Sequence, residues 1–324
     1  MLQPVGRYIT GIQSRALVRA EVPSTVGLGA LSRISPILVV MTLSAEELQA
    51  RLVAAGLQRH VQALLGLAAP SVRLRPRPVE GEELPVGSTK LGGRPDLAPF
   101  SSWPSRAGAP QSFVAQLNLA DTAPLGSQRA VLPSAGLLVF FYDSEQQVWG
   151  FDPADQGAWQ VTFIEPGIPL VRTDFPPDLP AYGRYQEVQL AAEHEVSYAP
   201  WVSFAVDQLG LSHDERFAYA EALEDREAVI HRLLGHPDPV QGDMQLECQL
   251  VSNGLYCGNA SGYRDPRVPA LRPGAADWRL LLQIDSDDAA GMMWGDVGRI
   301  YYWMHTRDLA ARRFDRAWLI LQCS

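Results

Sequence analysis

The chain has 324 residues, of which 47% are hydrophobic and 19% are charged. That apolar fraction is ample for a packed core, so disorder along the whole chain is excluded. The formal net charge of -9 argues against binding to nucleic acid or to a membrane surface, since both are recognised by basic patches.

The cysteines and the apolar runs indicate the compartment. Cys248, Cys257 and Cys323 are too few, and odd in number, for the disulfide framework of a secreted protein. No apolar run approaches the roughly 18 residues that a membrane span needs. We therefore expect a cytosolic protein with free thiols and without a membrane segment.

The first 40 residues differ in composition from the rest. They carry four arginines against a single acid, Glu21, with scattered Ser, Gly and Thr. An organelle transit peptide can have this composition. The simpler interpretation is an upstream extension, with Met41 opening the folded protein. We expect residues 1–40 to be poorly ordered and residues 41–324 to form a single domain.

A helical pattern covers about residues 45–66. Ser44 and Glu47 have the spacing of a capping box, in which each side chain satisfies a free backbone donor of the other residue. Leu48 and Leu52 then open an apolar stripe at helical spacing. The spacing predicts a helix that begins after Ser44.

A proline-rich stretch follows, from Pro70 to Pro110, and predicts extended segments and turns on a surface. Inside it, Gly92 and Gly93 follow Lys90, the only lysine of the chain. A glycine pair can bring backbone amides close to an anionic ligand beside Lys90, or it can simply form a tight turn. Both interpretations remain open.

Two sets of apolar segments read as strands, because they are rich in branched and aromatic residues and are bounded by turn formers. These segments are 113–119, 136–142 and 159–165 in the first set, and 279–284, 299–304 and 318–323 in the second.

The two sets align in the same order. Gln116 matches Gln283, Gly136 matches Gly298, and Trp159 matches Trp318. Two related units of three strands, about 112–165 and 279–323, are the economical interpretation, although short apolar strands also align by chance. The predicted fold class is therefore α+β, with mainly antiparallel sheets built by internal duplication and with a few helices. A three-strand unit buries one face poorly alone, so the seam between the units is a natural ligand site.

A second helix is predicted for residues 212–235, between the units. Ser212 and Glu215 form another capping box, while Gly235 and Pro237 end the pattern. The residues after this predicted helix, 246–257, fit a β-hairpin with Asn253-Gly254 at its turn.

The end of that helix carries several groups able to bind metals or partners. His231, His236, Gln241 and Asp243 lie within one short span. The two histidines do not have the i, i+4 spacing of a helical metal site, and a histidine near a helix C-terminus is also favoured by the helix dipole. A structural role is the simpler interpretation, and metal binding is the alternative.

An acidic connector joins the first two strands of the second unit. It contains Asp285, Asp287, Asp288 and Asp296, with Trp294 among them. Carboxylates suit Mg²⁺ or Ca²⁺, but the fifth and sixth positions counted from Asp285 are both alanine, so a calcium-loop motif fails. Alternatively the acids cap turns and Trp294 packs in the core, or acids beside an exposed aromatic ring form a recognition surface.

These motifs resemble the YwqG-like bacterial proteins, a family of unknown function. The resemblance extends from about Met41 to the C-terminus and depends on KLGGRPDL at 90–97, FVAQLNL at 113–119, LPSAGLLVFFY at 132–142, HRLLGHPDPVQGDM at 231–244 and LLLQIDSDDAAGMMWGDVGRIYYW at 280–303. It implies a single α+β protein and supplies no catalytic residues. An association of the family with bacterial toxin loci implies an immunity-type role.

Three functional hypotheses follow from the sequence. The first is a non-enzymatic cytosolic bacterial protein that binds a protein partner through 90–97, 231–243 and 285–298, which requires these segments to converge. The second is a metal-assisted hydrolase that uses the aspartates, with His231 or His236 as base. The third is a binder of small ligands in the seam between the units or at the aspartates. We expect no cofactor and no nucleic-acid or membrane partner.

Overall fold

The computed structural model describes residues 43–77, 83–122, 131–223 and 229–324, so the predicted extension over residues 1–40 lies outside these ranges. Thr42–Ser324 is one compact unit. Across the described ranges, no helix is long and apolar enough to cross a membrane.

The unit is a mixed α+β structure with strands of two to ten residues. In chain order they are β1 (Ala69–Arg77), β2 (Lys90–Leu91), β3 (Asp96–Leu97), β4 (Ser105–Arg106), β5 (Ala109–Pro110), β6 (Ser112–Asn118), β7 (Leu137–Tyr142), β8 (Trp159–Ile164), β9 (Val171–Arg172), β10 (Val188–Ser197), β11 (His231–Leu233), β12 (Trp278–Asp285), β13 (Arg299–His305) and β14 (Trp318–Gln322). The predicted strands of both sets are confirmed, with ends that differ by at most one residue.

Ten of these strands form one antiparallel sheet in the order β14-β13-β12-β11-β1-β10-β2-β6-β7-β8. β3 pairs with β9 and β4 pairs with β5 in two small ladders. The large sheet curls until its two end strands approach each other. The indole of Trp159 in β8 donates to the Ala317 carbonyl at 2.7 Å, and its ring lies 5.0 Å from that of Trp318 in β14. The sheet is therefore a nearly closed barrel.

The order of the large sheet is symmetric about the central β1–β10 pair. On one side lie β2, β6, β7 and β8, here called the first half-sheet, and on the other lie β11, β12, β13 and β14, the second half-sheet. Phe113 pairs with Phe141 in the first half-sheet, and Leu280 pairs with Trp303 at the corresponding place in the second. In both half-sheets the ladder has an irregularity directly after this pair.

The correspondence is shifted at the last strand of each half. Trp159 pairs with Tyr142, whereas Trp318 pairs with Trp303, the counterpart of Phe141. The alignment of Trp159 with Trp318 is therefore out of register by one residue in the ladders. Gln116 and Gln283, in contrast, occupy equivalent positions: Gln116 pairs with Lys90 of β2, and Gln283 with Arg232 of β11.

The interior of the barrel and two outer surfaces are apolar. The barrel interior contains Phe140 and Tyr302, whose rings are 5.1 Å apart. A second apolar cluster joins residues 48–64 to residues 199–222. The helices of the described ranges are α1 (Ala45–Ala54), α2 (Val61–Leu65), α3 (Leu119–Thr122), α4 (Phe204–Asp207), α5 (His213–Ala222), α6 (Gln245–Val251), α7 (Ala260–Tyr263), α8 (Val268–Leu271) and α9 (Thr306–Ala310).

The first predicted helix, 45–66, is two helices. Ser44 caps α1 as expected, since its side chain accepts the Glu47 amide at 3.1 Å. The Glu47 carboxylate pairs with Arg51 at 2.8 Å instead of accepting the Ser44 amide, so only half of the predicted capping box forms. The chain turns at Gly56, where φ is +79°, and α2 begins only at Val61. The left-handed backbone at Gly56 ends the first helix, because a continuous helix cannot include it.

The second predicted helix, 212–235, is much shorter than expected. The capping box of Ser212 and Glu215 is confirmed, but α5 ends at Ala222. His231–Leu233 form β11, which fills the place between β1 and β12 in the large sheet. Residues 231–233 form a strand that is buried on both faces. Such a strand lacks the alternation of apolar and polar residues that would distinguish it from a helix.

The predicted hairpin over 246–257 is wrong, because Gln245–Val251 form helix α6. Cys248, Leu250 and Val251 are buried on this helix, and Asp243 accepts the amides of its first turn. All three cysteines are free and buried. The prediction of free thiols is thus confirmed, although the hairpin geometry behind it is not.

Candidate functional site

A buried glutamine fixes the turn that follows β2. The Gln116 amide nitrogen donates to the Ser88 carbonyl at 2.9 Å and to Asp96 Oδ2 at 2.6 Å, while its oxygen accepts the Asp96 amide at 2.9 Å. Gln116 and Asp96 are fully buried. The glutamine therefore holds the loop against the outer face of the first half-sheet, with every polar atom of its side chain paired.

The second half-sheet repeats this arrangement bond for bond. The Gln283 amide nitrogen donates to the Ile230 carbonyl at 2.8 Å and to Asp238 Oδ2 at 3.1 Å, and its oxygen accepts the Asp238 amide at 2.8 Å. The segment KLGGRPD at 90–96 thus corresponds to RLLGHPD at 232–238. We call each set of three hydrogen bonds a glutamine latch.

The first residue of each segment is a buried cation. Lys90 Nζ lies 2.5 Å from a Glu187 carboxylate oxygen and donates to the Arg94 carbonyl at 2.7 Å. Burial lowers the pKa of Lys90, and the Glu187 partner opposes that shift. Arg232 pairs with Glu195 at 2.6 Å and with Asp238. Both cations have internal acidic partners, so Lys90 is not presented to an external anion.

The glycines after Lys90 meet a steric demand. Gly92 and Gly93 have φ values of +51° and +67°, and a Cβ at Gly92 would lie 2.1 Å from the Gln186 carbonyl oxygen. The corresponding Leu234 and Gly235 have φ values of +59° and +74°. The backbone of each loop therefore reverses in the left-handed region, which favours glycine.

The acidic connector is largely turned inward. Asp285 accepts the Ile230 amide at 2.8 Å and lies 2.9 Å from Arg299 Nε. His231 Nδ1 accepts the Asp285 amide at 3.1 Å, so its Nε2 carries the proton that is shared with Asp287 at 3.1 Å. The bond from His231 lowers the pKa of Asp287. Both imidazole nitrogens of His231 are thereby occupied within the protein.

The remaining residues of the connector divide between core and surface. Trp294 is fully buried, and its indole donates to the Asp285 carbonyl at 3.1 Å. Asp288 and Asp296 are exposed, as is Met293 at 45%. Trp294 therefore belongs to the core, and of the four aspartates only Asp288 and Asp296 face solvent. In the described part of the chain, no group of three or more His, Cys, Asp or Glu is arranged to hold a metal ion.

A cavity of about 650 Å³ lies against the second half-sheet, where Leu280 and Trp303 line it. Its wall is predominantly apolar, and it is called here the second-half cavity. The apolar lining residues include Leu67, Pro70, Val202, Phe204, Pro239, Met244, Trp278, Leu280, Trp303 and Leu309.

The corresponding place in the first half is filled. Phe113 and Phe141, the counterparts of Leu280 and Trp303, belong to a packed outer cluster together with Leu97. Trp103 packs against that cluster, with its ring 5.4 Å from that of Phe141. In the second half the chain continues from Pro239 to helix α6, and Leu280 and Trp303 border the open cavity. The cavity is thus a difference between two otherwise matching half-sheets.

Three ionisable residues line the second-half cavity: His236, Asp243 and Arg279. Asp243 accepts the amides of Phe204 at 3.2 Å and Leu246 at 3.0 Å, and burial raises its pKa. His236 Nε2 lies 2.6 Å from the Leu67 carbonyl oxygen, and burial lowers its pKa. The Trp303 indole nitrogen is buried without a hydrogen-bond partner in the structure. The cavity therefore combines an apolar wall with a few polar groups.

The predicted site residues gather in two places rather than one. The connector contacts His231 directly. Residues 185–187 link the connector to the 90–97 loop: the Gly93 amide donates to the Tyr185 carbonyl, and the Gln186 amide donates to the Ala290 carbonyl of the connector. Gln241 and Asp243 lie elsewhere: the Gln241 side chain donates to the Cys323 carbonyl at 2.9 Å, and Asp243 lines the cavity.

Arg279, Leu280 and Trp303 were missed by the sequence analysis. The sequence held one indication of the cavity: Leu280 in the second unit aligns with the larger Phe113 in the first.

Comparisons with known proteins place the chain in a family without a defined activity. No curated protein matches the chain. A family model described as a domain of unknown function, DUF1963, matches residues 89–323, which contain every strand from β2 to β14. The chain therefore belongs to the DUF1963 family.

Proposed function

We propose that the protein binds a small, mainly apolar molecule in the second-half cavity. The observation that carries this proposal is the contrast between the half-sheets: the first half fills the space with Trp103, and the second leaves about 650 Å³ open. Protein interiors are close-packed, so an apolar space of this size is rarely left without use. Ligand sites typically measure about 300–1,000 Å³ and combine apolar walls with few polar groups.

The apolar wall of the cavity predicts how affinity depends on the length of an alkyl ligand. Each buried methylene contributes about 0.8 kcal/mol, or roughly a fourfold gain in affinity. A series of primary alcohols of increasing length should therefore bind progressively more tightly until the chain no longer fits. Calorimetric titration of the full-length protein with hexanol, octanol and decanol measures this trend.

A blocking variant shows whether the alcohols bind in this cavity. Gly242 lines it, and a Cβ there would meet no heavy atom within 4 Å, so Gly242→Trp introduces a large side chain without a backbone clash. Decanol binding should weaken at least tenfold in this variant. Ala120→Trp adds the same ring at an exposed position away from the cavity and should bind decanol like the wild type. Equal binding in both variants would contradict the proposal.

The origin of the two half-sheets is a related proposal. An ancestral unit duplicated in the chain would account for the symmetric strand order, the matched ladder irregularities and the two glutamine latches. The latches use the same side chain for the same three hydrogen bonds, which chance similarity of short apolar strands does not produce. The YwqG-like resemblance and a bacterial, cytosolic setting likewise stay proposals alongside the DUF1963 membership.

A protein partner is the second candidate function, including an immunity-type role. What favours it is the exposed rim of the connector, where Met293 and Val297 are accessible beside Asp288 and Asp296. Apolar residues flanked by acids suit a basic partner surface, with charge mainly speeding and selecting the encounter. Lys90, Gly92, Gly93, His231, Asp285, Asp287 and Trp294 would then support this surface from within.

The partner hypothesis is tested by affinity capture from a bacterial lysate. Asp288→Ala combined with Val297→Ser should abolish capture of a specific partner, because both changes alter exposed side chains. Ala311→Ser, at an exposed position outside the connector, is the control. Capture that is unchanged by the double variant would remove the connector as the contact surface.

A further inference from the structure

The acid and the arginine that line the second-half cavity do not form an ion pair with each other. Its acid, Asp243, is already engaged by the backbone amides of Phe204, Gln245 and Leu246 at 3.0–3.3 Å. Two of these amides belong to the first turn of α6, where a carboxylate is also favoured by the helix dipole. Asp243 is therefore a structural cap and offers little to a bound cation.

Arg279, in contrast, has no acidic partner among the described residues. Its guanidinium donates only to the carbonyl oxygens of Ala276 at 2.5 Å and Trp278 at 3.0 Å, both through Nη1. Arg279 is exposed and lines the cavity, and its remaining donors have no acceptor within the described ranges of the chain. An arginine normally directs this fork of donors at a carboxylate or phosphate.

His236 places a second polar atom in the same cavity. A carbonyl oxygen can only accept, so the 2.6 Å contact with Leu67 puts the proton on Nε2. Nδ1 then has no protein partner among the described residues. Burial first, and then the charges of Arg232 and Arg279, lower the pKa of His236, while Asp238 and the Leu67 carbonyl oppose them. The imidazole is accordingly neutral near pH 7.

We propose that the ligand of the second-half cavity is an apolar monocarboxylate, with its chain along Leu280 and Trp303 and its carboxylate at Arg279 and His236. This inference rests on the proposed function. Arg279 supplies the positive charge that is not balanced within the cavity. A carboxylate beside His236 favours the imidazolium form, so the ring takes one proton from solvent and donates Nδ1–H to the ligand. Binding therefore takes up a proton.

The test compares three probes with the same alkyl chain: decanoate, decanol and decylamine. Calorimetric titration at pH 7 should give the order decanoate, decanol, decylamine, with decanoate at least tenfold tighter than decanol. Arg279→Gln should bring decanoate to the level of decanol and leave decanol unchanged. Arg312→Gln, at an exposed arginine that does not line the cavity, should preserve the preference.

The outcomes separate this inference from the proposed function. If none of the three probes binds, the cavity is not a ligand site and both proposals fail. If decanol binds as tightly as decanoate, or decylamine binds best, only the carboxylate is overturned.

Repeating the decanoate titration in buffers of different ionisation enthalpy measures the proton. Net proton uptake is expected for decanoate and none for decanol. Equal values for the two probes would overturn the role of His236.

Discussion

The two half-sheets have the same strand order and the same latched turn, but different segments cover their outer faces. In both, a turn folds back over the outer face and a buried glutamine latches an aspartate, Asp96 in one and Asp238 in the other. The first half then packs Trp103 against Phe141 and closes the face. The second half continues into α6 and leaves the cavity. The shared bonds thus maintain the fold, while the unshared connection sets what can bind.

The glutamine latches should show the largest effects on stability. Gln116→Leu and Gln283→Leu each remove three hydrogen bonds and leave a backbone carbonyl and the aspartate amide without this partner, at about 1–3 kcal/mol for each group. We expect each change to lower the free energy of unfolding in urea by about 2–6 kcal/mol. Gln160→Leu, on the exposed side of β8, is the control. A large loss in one half only would contradict the equivalence of the latches.

The α6 connection should make stability depend on pH. Burial, followed by the charge of Asp243, raises the pKa of Glu247 on this helix to about 7 from an ordinary value of 4.5. The native state therefore holds this proton more tightly than the unfolded chain. This stabilises the folded state by about 3 kcal/mol at pH values below 4.5, relative to high pH. The stabilisation is lost as the pH rises through about 7.

Glu247→Gln removes this ionisation. The variant should be more stable than the wild type at pH 8 by about 2–3 kcal/mol and should match it near pH 4.5. Urea unfolding across that range measures both values. If the difference in unfolding free energy between the wild type and the variant does not change between pH 5 and 8, the Glu247 carboxylate is hydrated in the native state.

Enlarging matched core residues should distinguish the filled half from the open one. Phe113→Trp overpacks the closed outer cluster and should cost about 1–3 kcal/mol. Leu280→Phe, at the corresponding position, extends toward the cavity and should change stability by less than about 1 kcal/mol. Thermal and urea unfolding give both numbers. Similar costs at the two positions would mean that the cavity is not available to the Leu280 side chain.

The exposed connector should show the smallest effects. Asp288→Asn and Asp296→Asn alter side chains at the surface, so each should change the free energy of unfolding by about 0.5 kcal/mol or less. Asp287→Asn, which weakens a buried bond to His231, should cost more. Equal costs for Asp287 and Asp288 would indicate that the connector is not ordered in solution as described.

Local patterns predicted the strands well and the insert poorly. Phe113 and Leu280 lie in segments of branched and aromatic residues bounded by turn formers, and these signals are local. His231–Leu233 form a strand because a gap between β1 and β12 must be filled, which is a long-range requirement that no local window contains. Asn253-Gly254 resembles a hairpin turn, but the chain before it is helical, and Asp243 accepts two amides of the first turn of that helix.

The candidate site shows the same division. The glutamine match pointed to equivalent positions in the two units, and the latches bear it out at Gln116 and Gln283. Trp294 was expected either in the core or on a surface, and it is in the core. The cavity was not predicted, since it depends on which segment covers Leu280 and Trp303, and Arg279 beside them lies at the start of β12.

Xenon binding in a pressurised crystal is the most direct measurement of the contrast between the halves, since apolar cavities take up xenon. We predict xenon beside Leu280 and Trp303 and none beside Phe113 and Phe141. Absence of xenon from the second-half cavity, or equal occupancy in both halves, would contradict the account.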